Sequence, residues 1–368
     1  MSRILHSLDW LLLAGLLCLA ALGMLVLYAA VHQGDTGLWY KQAVYWGIGM
    51  VVFLTLCLTP LRILGLACWP IYGIVLLLLM LVPLIGDVHM GARRWLDLGI
   101  ANIQPSEIMK WALVFVLANW FASREARGSV EIIAPLLLAA IPAGLIVIQP
   151  DLGTTLVLLF AATAMIIAAG LPWRLLALAA SAAIASLPVL WHFMHHYQKQ
   201  RVLTLLDPQS DPLGAGYHVI QSTIAIGSGG LLGKGFLQGT QDRLHFLPEQ
   251  HTDFIFSVLA EEGGFIAVTL LLALYALLIY RILIIGHRAH NRFGSMLCIG
   301  VAAIFTLYIT VNIGMVSGLF PVVGLPLPFI SYGGSALVTM LGALGLVMRV
   351  AIESRDSIPW QRPSSPLA

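Results

Sequence analysis

Residues 8–30 read LDWLLLAGLLCLAALGMLVLYAA, a stretch of 23 positions in which Asp9 is the sole charge. A helix needs about 20 largely apolar residues to cross the hydrocarbon core of a bilayer, so this stretch is long enough to span one. It is too long for the apolar region of a signal peptide, and no small-residue cleavage site clearly ends it, so it is expected to remain as the first membrane helix. The rest of the chain has the same character. Of 368 residues, 60% are hydrophobic and 10% charged, against about 25% charged in soluble domains, and the mean hydropathy is +0.93. This composition excludes a soluble enzyme, a disordered chain and a secreted disulfide scaffold. The net charge of +2 without a clustered basic face gives no footprint for nucleic acid. Cys18, Cys57, Cys68 and Cys298 lie in apolar runs with no C-x-x-C pair, so neither a disulfide framework nor a zinc site is indicated.

Further apolar runs fall at 42–59, 63–86, 105–122, 132–149, 152–171, 174–196, 253–280, 293–317 and 330–350. The expected architecture is an all-α polytopic integral membrane protein, one membrane domain over 1–368 with about ten transmembrane helices. An even count puts both termini on one side. In that register Arg3, Arg62, Arg124, Arg127, Arg174, Arg281, Arg288, Arg292, Arg349, Arg355 and Arg362 share a side, while the opposite short loops hold Lys41, Arg93 and Arg94. The excess of Arg marks the cytoplasmic side and places both termini there. One long periplasmic loop, 197–252, interrupts the short connections. Its Val202, Leu205 and Leu206, and Val219, Ile220, Ile224 and Ile226, are spaced for short helices on or re-entering the membrane surface. The polar segment 353–368 is a cytoplasmic tail.

Charges within spans are costly and are functional candidates. Asp253, in His251-Thr252-Asp253-Phe254, stands where the long loop enters a span. There it serves either as a partly desolvated general base or as a helix cap. Glu107 and Lys110 follow Gln104-Pro105-Ser106 three residues apart, on one helix face, where they neutralise each other. Asp151 lies in a tight hairpin, Gln149-Pro150-Asp151-Leu152-Gly153-Thr154, that suits an Asp cap. Glu261 and Glu262 lie about two turns past Asp253, on faces such that at most one of them shares its cavity. The segment 225–235, AIGSGGLLGKG, fails the Walker A and dinucleotide registers. A Gly-rich turn with Lys234 is left either to hold a phosphate through backbone N–H groups or to act as a hinge. His192, His195 and His196 have a metal-capable spacing, but no carboxylate or Cys is nearby in the sequence to complete a site.

Residues 312–336, NIGMVSGLFPVVGLPLPFISYGGSA, resemble the signature of the SEDS family (shape, elongation, division and sporulation), which includes RodA, FtsW and SpoVE. The 104–107, 149–154, 225–235 and 251–254 blocks resemble family blocks in the same order, so the resemblance covers nearly the whole chain. Leu206-Asp207-Pro208 and the run 239–249 look closer to the elongation member, RodA, than to the division member.

The resemblance implies a GT-C-like fold and a peptidoglycan glycosyltransferase that polymerises lipid II. Its conserved loop aspartate matches Asp253, and its Glu and Lys pair matches Glu107 and Lys110. Transfer with inversion needs a base near the attacking hydroxyl and positive charge near the leaving pyrophosphate. Arg201, Lys234, Arg93 and Arg94 are the outer-side cations for the phosphates, with Asp151 and Ser331 as further substrate-binding candidates. A divalent cation, magnesium or manganese, could share that work with Asp253 or Asp151 as ligand. The expected partners are lipid II, a class B penicillin-binding transpeptidase, other elongation-complex proteins and membrane lipids of the bacterial inner membrane. A lipid II flippase is the competing function.

Overall fold

The computed structural model describes residues 7–356 apart from 33, 90–91, 98–101, 125–128, 240–250 and most of 179–214. Helices α1 (Trp10–Val31), α2 (Gly37–Leu58) and α3 (Leu61–Ile85) precede a small sheet, β1 (Asp87–His89), β2 (Ala92–Asp97) and β3 (Asn102–Ile103). There follow α4 (Pro105–Ala122), α5 (Ser129–Ile148), α6 (Leu152–Ala168), α7 (Ala215–Gly229), α8 (Ile255–His287), α9 (Arg292–Val316) and α10 (Gly334–Asp356). The apolar runs thus became helices close to their expected places. The expected span at 174–196 lies mostly outside the described residues.

One expectation changes. The chain is not all-α: three antiparallel strands in the order β1-β2-β3 fill the connection between α3 and α4. These strands have two to six residues, too few to leave an alternation in the sequence. Among the described residues, seven helices are long and apolar enough to cross a membrane: α1, α2, α3, α5, α8, α9 and α10. Helix α6 is short at 17 residues, and α4 carries Glu107, Lys110 and Asn119. Helix α4 tolerates them because it is inside the bundle, with most of its side chains buried by protein.

Helices α4 and α9 form the centre, and α9 packs on α8, α4 and α6. Tyr308, Phe305, Lys110 and Phe121 are fully buried there. Helix α10 lies against α2 at close range: a Cβ at Gly345 would collide with the Phe53 carbonyl, and one at Gly49 with Leu341. Small residues allow such approach where apolar solvent gives helices no other reason to associate. Leu66, Leu77 and Leu84 of α3 and Ile148 of α5 face outward, as a lipid-facing surface requires.

Polar contacts sort to two ends of the bundle. At one end Asp9 caps α1 and pairs with Arg281 and Arg355, Leu61 N donates to Glu353, and Arg292 donates to the Ala169 carbonyl. At the other end lie the sheet, the α5–α6 hairpin, residues 251–254 and the α9–α10 connection, joined by contacts described below.

Candidate active site

Asp253 occupies the last turn before α8. The N-cap of that helix is Phe254, so Asp253 stands one residue before the cap position. Residues 251–253 are instead tied to the α9–α10 connection. Tyr332 N donates to the His251 carbonyl at 2.9 Å, and Ser331 Oγ donates to the Thr252 carbonyl at 2.6 Å while accepting from Leu327 N at 2.7 Å. Asn312 Nδ2 donates to the Asp253 carbonyl at 3.0 Å and to the Leu325 carbonyl at 2.7 Å. Gly324 has φ +75°, and a Cβ there would stand 3.5 Å from Asp253 Oδ2. A side chain at 324 would be strained, and its Cβ would be in van der Waals contact with the carboxylate. The signature segment therefore forms one wall of the aspartate's surroundings.

Helix α2 supports this wall. Buried Gln42 donates to the Ser331 carbonyl at 3.1 Å and accepts from Gly333 N at 3.3 Å. The Tyr332 phenol, beside the Tyr45 ring, is pushed above its usual value first by burial and then by Tyr45. It stays a neutral hydrogen-bonding group. Ser331 is buried with its hydroxyl engaged on backbone at both sides, which makes it a fastener of the loop to residue 252.

The Glu107–Lys110 pair forms as expected, Nζ to Oε1 at 2.6 Å, and Lys110 also contacts the Tyr308 hydroxyl of α9. Tyr308 is four residues before Asn312, hence on the same helix face. The pair thus sits beneath the aspartate's wall, joined to it through α9.

Asp151 is the N-cap of α6: its carboxylate accepts from Thr154 N at 3.1 Å and from Thr154 Oγ1 at 2.8 Å, and Gln104 donates to it at 3.2 Å. Arg94 binds the same hairpin, donating to the Gln149 carbonyl at 3.0 Å and the Pro150 carbonyl at 2.5 Å. Arg93 is exposed and reaches the Pro83 carbonyl at 3.3 Å. Arg201 lies outside the described residues, as do His195 and His196. No group of three or more His, Cys, Asp and Glu able to hold a metal comes together among the described residues.

Lys234 is ion-paired with Glu261 at 2.6 Å, and its loop is built into α8. At Gly264 (φ 64°, ψ −164°) the helical backbone is broken. Lys234 N and Gly235 N donate to the Glu261 and Glu262 carbonyls, both at 3.0 Å, and Phe265 N donates to the Gly230 carbonyl at 2.9 Å. Helix breaks at membrane depth persist where other backbone satisfies the freed groups. Residues 229–235 do that here, so the Lys234 and Gly235 N–H groups are committed to α8 and do not form a phosphate cradle.

Sequence reasoning assigned no role to Asn312, Tyr308, Gln42 or Gln104. A polar side chain inside an apolar run was the available signal for Asn312. Nothing local marks Tyr308, whose partners are about 200 positions away.

A family model described as "Cell cycle protein", covering FtsW, RodA and SpoVE, matches residues 5–356. The peptidoglycan glycosyltransferase MrdB of Escherichia coli K12 is 46% identical over 345 residues, 93% of each chain. Stage V sporulation protein E of Bacillus subtilis is 34% identical over 370 residues, 94% of this chain and 98% of that one. Among solved structures, a chain of a peptidoglycan synthase complex that coordinates polymerisation and crosslinking is 38% identical. It superposes with a TM-score of 0.82, covering 94% of this chain and 98% of that one. The rod shape determining protein RodA of Thermus thermophilus is 32% identical with a TM-score of 0.72, over 96% of this chain and 98% of that one.

Proposed function

This chain belongs to the FtsW/RodA/SpoVE family of cell cycle proteins, and from that premise we propose that it is a peptidoglycan glycosyltransferase. It polymerises lipid II into glycan strands during cell elongation and shape maintenance. The observation that supports the site assignment is a carboxylate, Asp253, that stands one residue before the N-cap of α8 and faces the Gly324 backbone. In the reaction the acceptor's GlcNAc 4-hydroxyl oxygen forms a bond to C1 of the donor sugar. The C1–O bond to the pyrophosphate breaks, undecaprenyl diphosphate leaves with the bonding electrons, and the hydroxyl proton passes to Asp253. Attack opposite the leaving group inverts C1.

Charge on the departing pyrophosphate needs cations. Arg93, exposed on β2, and Arg201 are the candidates to contact a lipid-linked phosphate. Arg94 and Lys234 act less directly, Arg94 by clamping the α5–α6 hairpin and Lys234 by pairing with Glu261. A magnesium or manganese ion would add charge neutralisation. It would depend mainly on the substrate's phosphates, because the Asp151 carboxylate is taken up by Thr154 and Gln104.

The Arg-rich end carrying Asp9, Arg281 and Arg355 is the cytoplasmic one, so both termini are cytoplasmic and Asp253 faces the periplasm. A flippase reading would put substrate charges at midplane breaks of repeated halves. The break in α8 is filled by residues 229–235, and its Lys234 and Glu261 neutralise each other, which favours the polymerase. The membrane partner is a class B penicillin-binding transpeptidase, consistent with the likeness to a chain of a synthase complex.

The deciding experiment is glycan polymerisation by purified protein, alone and with its transpeptidase, on lipid II. Strands should form, and Asp253→Asn should reduce them by about 100-fold or more, the usual range for a lost general base. Normal strands from the variant would remove Asp253 from the mechanism, and none from the unmodified complex would remove the function.

A further inference from the structure

Asn312 is fully buried on α9, four residues before the helix ends at Val316. Its Nδ2 serves two carbonyls, those of Asp253 and Leu325, whereas its Oδ1 is buried without a hydrogen-bond partner. A buried acceptor left unpaired destabilises the fold, and leucine would fill a similar volume without one. Leucine could not, however, hold two carbonyls to one point. Those carbonyls belong to the two sides of the aspartate's surroundings: residue 253 carries the carboxylate, and residue 325 follows Gly324, which the carboxylate faces. One turn earlier on α9, Tyr308 meets Lys110 and Glu107, so the amide's own position is anchored from α4.

We propose that Asn312 is a positioning residue for Asp253 in glycosyl transfer: one carboxamide, gripping the carbonyls of 253 and 325, sets where the carboxylate stands against the 322–325 segment. The proposal rests on the reading of Asp253 as the base. Misplacing a base by a fraction of an ångström slows the chemical step while leaving binding of the lipid-linked sugars to other groups. The effect belongs in kcat rather than KM.

The test compares Asn312→Leu, similar in size and without a donor, with Asn312→Gln, which keeps the carboxamide but fits less well. Purified variants are assayed on lipid II, with kcat expressed per folded molecule from size exclusion and thermal melting. Asn312→Leu is expected to lose kcat by about tenfold or more with KM within about threefold, and Asn312→Gln to recover part of it. A residue that only packs would show the opposite order, leucine being the better filler. Full kcat in Asn312→Leu, or Asn312→Gln no better than Asn312→Leu, would overturn the proposal. Should either variant not fold, Asn312→Ser, smaller and with one donor, takes its place, and unmodified kcat in it would likewise overturn the proposal. Asp253→Asn is measured in parallel. If it is active, the base reading fails. If it is inactive while Asn312→Leu is unaffected, the positioning role alone fails.

Discussion

Glu107 and Lys110 show how a buried charge pair is made tolerable. Lys110 is 1% exposed, and an ammonium there is sustained by the Glu107 carboxylate and the Tyr308 hydroxyl together. Removing one partner leaves the other charged in a dry site, at a cost of about 3–5 kcal/mol, whereas removing both leaves none. Glu107→Gln and Lys110→Met are therefore each expected to lower the thermal unfolding temperature in detergent strongly, and the double variant to lose less than the two combined. Strictly additive losses would show that the two side chains do not share a site. The i, i+3 spacing made the pair legible in the sequence. Tyr308 was not legible, because helix packing alone brings α9 to α4.

The junction of residues 229–235 with α8 turns a weak motif into architecture. The Gly-rich run is consistent with either a hinge or a phosphate turn when read locally. Its use depends on contacts with Gly229 and Gly233, where a Cβ would collide with the Ala260 and Glu262 carbonyls, and with the positive φ at Gly233 and Gly264. Gly264→Ala should be destabilising, by about 1–3 kcal/mol from backbone strain and more from collision with Gly233 N, read as a lower melting temperature with reduced expression. A wild-type melting curve in this variant would mean that α8 is not broken in solution. Hydrogen exchange gives an independent check: amides of Lys234, Gly235 and Phe265, bonded across the junction, should be protected without any substrate. Rapid exchange there in the substrate-free protein would show that the loop is undocked and free to act as the hinge its glycines allow.

The bundle as a whole places its polar contacts at two ends and its apolar side chains between them. That arrangement predicts sidedness. Single cysteines at His251 and at Arg355, in a background lacking the native four, should react with a membrane-impermeant thiol reagent from the periplasmic side at 251 and from the cytoplasmic side at 355. The opposite pattern would invert the topology and remove Asp253 from the side where lipid II sugars are polymerised. The likeness to a chain of a peptidoglycan synthase complex supports a separate crosslinking partner. Mild solubilisation should co-purify a class B transpeptidase, and full activity with reproducible absence of one would count against that partnership.

The membrane class, the places of the long helices and the Glu107–Lys110 pair follow from composition and local spacing, because transfer to lipid is close to additive along the chain and i, i+3 neighbours meet on any helix. The place of Asp253 just before α8 was equally local. The role of each polar group around it was not. Whether Ser331 points at substrate or at the Thr252 carbonyl, and whether Lys234 meets a phosphate or Glu261, depend on segments 27 to 79 positions apart in sequence being brought into hydrogen-bond range. Hydrogen bonds act over about 3 Å, so only the packing of α2, α8, α9 and the 317–333 segment against one another could select among the partners that the sequence made available.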